Sequence, residues 1–484
     1  MSTAIIWFRR DLRLADNPAL QALLADGHLP VAVYIHDEPD PDWRLGAASA
    51  WWLHHSLVAL KQSLQKLGSD LLILSGDAQQ RLSKLIDQTG AGAVYWNRSY
   101  EPALLKRDAA IKTCLKQRGI DVCSYSASLL REPWQLLKKD GTPYRVFTPF
   151  WKSLYKIGPS RNIVTTVEGV PALPKGKQAE SLTIESLGLL PTTAWDKTFY
   201  THWQPGEIGA WHALDSFCET RLIRYKTDRD SPEISGTSGL SAHLHFGEIS
   251  PLQLWHSLLN WSATDTSPGT LAAVEAWLRQ LGWREFSHHL LYHFPHTSLQ
   301  PLDTRFERFP WRTDYADTLT RWQKGQTGIP IVDAGMRELW ATGVMHNRVR
   351  MITASLLTKN LCIPWQEGAR WFWDTLVDAD LANNTMGWQW TAGSGADAAP
   401  FFRIFNPVLQ GEKFDPAGVY VRRWVPELAN LGNKFIHQPW SAGPDTLADA
   451  GIRLGREYPA PVVDLKNSRK QALAAWDHVK RLSA

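Results

Sequence analysis

Residues 4–20, AIIWFRRDLRLADNPAL, carry the pattern that decides the fold. Ala4 to Phe8 are apolar and partly β-branched, which reads as a short buried strand. A polar turn follows, and then a helical stretch near 17–25. The same alternation repeats outward. VAVYI (31–35), DLLILS (70–75), AVYW (93–96) and DVCSYS (121–126) read as strands, with helical stretches near 47–67, 78–89 and 102–118 between them. Strand–helix alternation predicts a parallel, doubly wound sheet wrapped by helices. Such a sheet binds ligands outside the carboxyl ends of its strands. The turn Arg9-Arg10-Asp11-Leu12-Arg13 lacks the glycines that let a backbone approach a pyrophosphate, and no G-x-x-x-x-G-K-[ST] occurs in the chain. A nicotinamide dehydrogenase and a P-loop NTPase are therefore poorly supported. Arg9, Arg10 and Arg13 read as a salt-bridged turn capping the strand and helix.

Beyond residue 131 the rhythm breaks. Pro and Gly recur at Gly158, Pro159, Gly169, Pro171, Pro174, Gly176, Gly188 and Pro191, which reads as a linker over 132–204. From 205 to 484 helical periodicity dominates, as in Gly206–Tyr225, Leu271–His293 and Ile331–Asn360, and strand signals are scarce. The expected organisation is α/β plus all-α: an α/β domain (1–131), a linker (132–204) and a helical domain (205–484). At 484 residues two or three domains are expected.

Net charge is +4, so nucleic acid, if bound, must meet a local arginine-rich face. The four cysteines, Cys114, Cys123, Cys218 and Cys362, form no C-x-x-C pair, which fits reduced thiols in a cytosol. No basic-then-apolar leader opens the chain and no apolar run approaches 18 residues. A cytoplasmic protein without a membrane span is expected, and a monomer.

The run 371–407, WFWDTLVDADLANNTMGWQWTAGSGADAAPFFRIFNP, packs acids, amides and tryptophans around glycines. A plain core helix does not need that mixture. It suits the wall of a pocket for a large flat cofactor, with indoles leading away. The chain holds 25 tryptophans, but aromatics usually fill cores, so placement matters more than number. Asp378 and Asp380 are costly to bury unless paired, and Arg350 is a natural partner for Asp378. Gly236 to Ser241, GTSGLS, offers hydroxyls and free backbone N–H groups before a helical segment, which suits an anion; the bland alternative is an ordinary cap by Ser241.

Five segments in order resemble the DNA photolyase/cryptochrome family: WFRRDLRLADNPAL (7–20), GTSGLSAHLHFGEISP (236–251), WREF (283–286), GIPIVDAGMRELWATGVMHNRVRM (328–351) and DADLANNTMGWQW (378–390). Together they span nearly the full chain, and their form is closest to bacterial cyclobutane pyrimidine dimer photolyases. The resemblance implies an antenna domain, a long linker and a helical FAD-binding domain. It implies that Thr237, Ser238, Gly239, Leu240 and Ser241 cradle the FAD diphosphate, with Tyr225 and Arg229 nearby. It sets Arg350, Asp378 and Asp380 beside the isoalloxazine and Asn384 at its N5, with Trp277 and Asn347 as further pocket residues. Trp388, Trp365 and Trp311 match the family's electron relay, from flavin to solvent. Without the resemblance, each of these indoles reads as core.

The resemblance also implies UV-damaged DNA as partner, with the lesion flipped from the duplex. Trp283 and Trp390 match the stacking walls, Met351 a soft packing surface, and Asn347 a group for pyrimidine edges. Arg348 and Arg403 are set to engage phosphates, and Arg284, Arg305, Arg308 and Arg312 widen the basic rim. Gln280 stands where dimer photolyases carry glutamate, and an amide is the weaker acceptor. Val344 replaces a tryptophan, and Gly239 a larger residue. A second, light-harvesting pigment is implied, 5,10-methenyltetrahydrofolate in preference to 8-hydroxy-5-deazaflavin, with Glu101 the one candidate contact. His288, His289, His293 and His296 cluster, but no H-E-x-x-H follows and no metal is expected.

The expected activity is light-driven repair of cyclobutane pyrimidine dimers by a lyase using reduced FAD. A cryptochrome-like blue-light photoreceptor, a (6-4) photolyase and a dark flavin oxidoreductase are the alternatives. Gln280 and Val344 favour the photoreceptor, and His346-Asn347 lacks the paired histidines of (6-4) enzymes.

Overall fold

The computed structural model describes residues 2–164, 167, 169–171, 179–265, 267–401 and 403–482. Pro174 and Gly176 of the expected linker lie outside the described residues. By packing, the chain forms two compact units. The first comprises 1–223, 238–295 and 377–380; the second comprises 224–237, 296–376 and 381–484. The expected division at 205 thus falls inside the first unit.

The first unit is built on β1 (Thr3–Phe8), α1 (Pro18–Ala25), β2 (Leu29–His36), α2 (Ala47–Lys66), β3 (Leu72–Ser75), α3 (Ala78–Thr89), β4 (Ala93–Asn97), α4 (Pro102–Gln117) and β5 (Asp121–Tyr125). All strand pairs are parallel and the order is β3-β2-β1-β4-β5. Ile5 sits opposite Val31 on one side and Val94 on the other. Side chains alternate across a strand, and the two cores follow that period. Ile6, Phe8, Ala32 and Tyr34 join Leu20 and Leu23 of α1 and Trp52 and Leu57 of α2. Ile5, Trp7, Val31 and Val33 join Leu82 and Leu85 of α3 and Ile111 and Leu115 of α4. The order reverses between β1 and β4, so their carboxyl ends form the switch point of the sheet.

The arginine turn after β1 is structural, as its sequence suggested. Arg13 is fully buried and donates to the carbonyls of Gly247 (2.9 Å), Asp16 (2.8 Å) and Ala127 (3.1 Å). Arg9 pairs with Asp108 and Arg10 with Glu101. Asn17 caps α1 through the Leu20 N–H.

Two expectations are corrected. The 132–204 segment is not only a draped linker: it holds α5 (Phe147–Ile157), an amphipathic helix with Phe147, Phe150, Trp151 and Leu154 buried. Its apolar stripe is short and lies among Gly and Pro signals, which masked it. The continuous periodicity of 331–360 is broken. One helix spans Pro330–Thr342 and ends at Gly343, whose φ of +71° a side-chain-bearing residue resists. A second helix begins at Asn347 and runs into a π-turn over Leu356–Asn360.

The second unit is helical, with helices over Trp365–Thr375, Leu381–Ala392 and Leu465–Leu482 among others. No described helix is long and apolar enough to cross a membrane.

Candidate functional site

In the first unit the helix Thr270–His293 spaces Trp277, Gln280 and Trp283 at three-residue intervals, so they follow one another along one side. Trp277 is buried and its ring centroid lies 6.2 Å from that of Phe217. Trp283 stacks on Phe147 of α5, with centroids 3.6 Å apart and planes 7° apart. Gly282 lets α5 come this close: a Cβ there would stand 2.3 Å from the Trp151 ring. Trp283 is therefore a half-buried indole backed by a parallel phenyl ring, a flat wall held in one orientation.

Ser238, Gly239, Leu240 and Ser241 also lie in the first unit, and Thr237 in the second. Gly239 has φ +72° and nothing within 4 Å of where a Cβ would sit. Ser241 is not the cap: the short helix Ser241–Phe246 has Leu240 at its cap position, with no side-chain hydrogen bond there. The hydroxyls of this segment are thus not consumed by capping the helix.

Asp378 and Asp380 belong to the first unit. Asp380 is buried, and its Oδ2 faces two imidazoles, His288 Nε2 at 3.4 Å and His245 Nδ1 at 3.6 Å. Burial alone pushes this carboxyl up, but the two histidines outweigh burial and hold it well below the usual carboxylate range. His245 carries no sequence signal of its own; only the tertiary structure brings it to Asp380. The other helix histidines are satisfied locally. His289 Nδ1 lies 3.3 Å from the Pro133 carbonyl while Nε2 accepts from the Tyr144 N–H at 3.0 Å, and His293 also meets Pro133.

Glu101 is engaged by Arg10 at the edge of a cavity of about 40 Å³. Glu101 is thus paired with Arg10 where a second pigment was expected to meet it. Arg284 is also drawn inward. It is 11% exposed, donates to the Ser128 carbonyl at 2.8 Å and lines the same cavity, so it is no rim cation.

In the second unit Tyr225 is buried, with the Arg229 guanidinium carbon 5.4 Å from its ring centre. His346 caps the helix Asn347–Ser355 by accepting the Arg348 N–H at 3.2 Å. That helix presents Asn347, which is exposed, and Met351, which is half-buried. Asn347 Nδ2 lies 3.9 Å from Met351 Sδ. Arg350 Nε donates to the Met345 carbonyl at 2.7 Å. Arg348, expected to be ready for phosphate, is already committed: Nη2 lies 2.9 Å from Asp230 Oδ1, and the guanidinium stacks over Phe414 at 4.3 Å. Arg403 is exposed. Arg305 pairs with Asp303 at 2.6 Å.

Asn384 is buried, and its Nδ2 donates to the Ala369 carbonyl at 3.0 Å, which leaves Oδ1, an acceptor, as its other polar group. Trp388 is buried beside Phe372 (5.0 Å) and Trp322 (6.2 Å). Gly368 presses on it: a Cβ there would stand 2.0 Å from Trp388 Cη2. This contact draws the helix that begins at Trp365 against the helix of Trp388. Trp365 is buried and Trp311 half-buried beside Phe309 (4.5 Å), in a cluster with Phe306, Phe401 and Trp476. Trp390 is half-buried.

Comparison with known proteins bears on both units. A family model described as the FAD binding domain of DNA photolyase matches residues 277–478, and one described as DNA photolyase matches 4–173. The chain is 48% identical to a deoxyribodipyrimidine photo-lyase of Agrobacterium fabrum, over 99% of this chain and 98% of the other. It is 40% identical to Cryptochrome-2 of Arabidopsis thaliana, over 96% and 77%. Among solved structures it is similar to a bacterial class III photolyase from Agrobacterium tumefaciens, with TM-score 0.95 and 47% identity over 99% and 98% of the two chains. A cryptochrome of Synechocystis matches with TM-score 0.90 and 30% identity over 98% and 99%.

Proposed function

The chain belongs to the DNA photolyase/cryptochrome family, and on that premise we propose that it is a light-driven DNA-repair lyase that splits cyclobutane pyrimidine dimers. The observation that carries this reading is the near-full-length similarity to a deoxyribodipyrimidine photo-lyase, joined to a stacked, fixed Trp283.

The residues suit FAD. Gly239 leaves space and open backbone, Ser241 does not cap the helix it begins, and the buried Asn384 keeps an acceptor oxygen. FAD, bound and reduced, supplies on illumination the electron that opens the cyclobutane ring and takes it back, so no net redox change occurs. The protein's share is positioning and electrostatics. Thr237 to Ser241, with Tyr225 and Arg229, would hold the diphosphate. Trp277, Asn347, Arg350, Asp378, Asp380 and Asn384 would line the ring system, where a cation favours the reduced anion and a neutral amide avoids donating a proton as an acid does. Trp283 and Trp390 would stack on the flipped bases, Met351 would pack against their pucker, and Asn347 and Gln280 would hydrogen-bond their edges. Arg403 and Arg348 would meet phosphates, which set register. Trp388, Trp365 and Trp311 would carry the reducing electron inward from solvent.

A second reading, a blue-light photoreceptor, is favoured by Gln280, a weaker acceptor than the glutamate of dimer photolyases, and by the 40% identity to a plant cryptochrome. One experiment separates the two. The reduced protein is illuminated with oligonucleotides carrying a cyclobutane dimer or a (6-4) lesion. Loss of the cyclobutane dimer supports the lyase; repair of neither lesion overturns it in favour of the photoreceptor; repair of the (6-4) lesion alone moves the assignment to a (6-4) photolyase.

A further inference from the structure

The cavity at the switch point of the sheet is the place where a doubly wound fold normally takes its ligand. Here Arg10 and Asp11 reach it from the carboxyl end of β1, and Arg98, Tyr100 and Glu101 from that of β4. The opening is reduced to about 40 Å³. At ~10–15 Å³ per water, that is room for roughly three molecules. The charges around it balance: Arg10, Arg98 and Arg284 against Asp11, Glu101 and Asp380. A balanced wall favours a neutral occupant over an ion.

His245 points to the same occupant. It is completely buried and lines the cavity, yet neither ring nitrogen has a hydrogen-bond partner among the described residues. Its 3.6 Å approach to Asp380 is too long for a direct bond. Leaving a buried imidazole unsatisfied carries its full desolvation penalty, unless water supplies the bonds. His288 shows the same need. Its Nδ1 lies 3.1 Å from the Arg284 carbonyl, which can only accept, so Nδ1 carries a proton. Its Nε2 then faces Asp380 Oδ2 at 3.4 Å, an approach that a bridging water makes favourable.

We propose that this cavity is a built water site: a short chain of ordered waters that satisfies His245 and forms the proton inlet from solvent to the His245–Asp380–His288 cluster. The site shares Asp380 with the proposed flavin pocket, but every observation behind it comes from the first unit. Its mouth is the Arg10–Glu101 pair, where Arg10 is 30% exposed. Burial lowers the pKa of His245 and disfavours a charged ring, so a proton that enters along the chain exchanges with the ring N–H and returns to solvent; no charge accumulates and no heavy-atom bond changes.

Crystals of the protein with its cofactor at atomic resolution, with and without xenon pressure, test the site. Two or three ordered waters, one within hydrogen-bond reach of a His245 ring nitrogen, are expected. A dry cavity, or one that accepts xenon, overturns the proposal. In solution, exchange of the His245 ring N–H with water is read by NMR on histidine-labelled protein. Ser128→Leu fills the cavity from the side and is expected to slow that exchange at least tenfold; Ser99→Leu does the same should the first variant fold poorly. Unchanged exchange in a variant whose crystal structure shows the cavity filled overturns the inlet. Waters and ring exchange are read without illumination or lesion DNA, so failure here is distinct from failure of the repair assignment.

Discussion

Asp230 holds Arg348: the two are 2.9 Å apart, and the guanidinium is clamped from its other side by the Phe414 ring. Arg348 is only 18% exposed at its side chain, while Asp230 is 40% exposed. If Arg348 meets phosphate as proposed, the phosphate must displace this carboxylate, and DNA binding would be an exchange. Asp230→Asn is expected to tighten binding of damaged and undamaged DNA severalfold, and to steepen the salt dependence by up to roughly one phosphate contact. Titrations at two salt concentrations decide it; weaker binding by the variant would show that Asp230 organises Arg348 and does not compete for it.

Trp283 owes its orientation to Phe147. Removing the backing ring by Phe147→Ala opens a cavity and is expected to cost about 3–5 kcal/mol of stability. Phe147→Leu retains volume but loses the parallel face. It should leave the melting temperature within a few degrees and still reduce discrimination between dimer-containing and intact oligonucleotides. Equal discrimination in the leucine variant would mean that Trp283 is oriented by something other than the stack.

Gly368→Ala drives a methyl into the Trp388 ring. Overpacking of this kind costs roughly 1–3 kcal/mol, and Trp388 must shift. Photoreduction of the oxidised protein, followed by transient absorption, is expected to slow. Trp388→Phe should slow it at least tenfold. Chemically reduced samples of both variants should retain dimer repair, because the proposed relay and the proposed lesion pocket draw on different residues. Normal photoreduction in Trp388→Phe would remove this indole from the relay.

Two buried groups set opposite pH dependences. Burial first, then His293, pushes the His289 pKa down to about 3, and the Tyr144 N–H needs a neutral Nε2. The unfolded chain binds the proton first, so this group's contribution is whole above pH 6.5 and is lost progressively toward pH 3. Burial raises the Glu285 pKa to about 7. Here the folded chain binds more protons, so stability falls as pH rises from ~4.5 to 7 and then levels. Denaturant unfolding of Glu285→Gln across that range should lack this fall. NMR should show His289 unprotonated at pH 5; its titration near 6.5 would contradict the assigned tautomer.

Much of this protein was legible in one dimension. Five strands and four helices of the sheet appear in the sequence at nearly their observed bounds, because a buried parallel strand must be a short apolar run and its crossover helix must be amphipathic. Family motifs singled out Trp283, Asn384 and Trp388 by residue type at fixed local spacing, and the structure adds what each packs against. Local signals failed where a partner is distant in the chain. α5 was hidden among Gly and Pro, since its reason for folding is the helix of Trp283. Arg348 read as a free cation, because Asp230 lies 118 residues away. Arg284 read as a rim charge and turns inward to Ser128. Nothing local in the sequence signals that Glu101 is paired with Arg10, 91 residues away across the switch point. His245 gave no signal, because a buried histidine is identified only by what surrounds it. Periodicity and residue chemistry thus determine which elements form and which side chains could act; only packing of segments remote in sequence decides which charges are paired, which rings are backed and where a polar cavity is left.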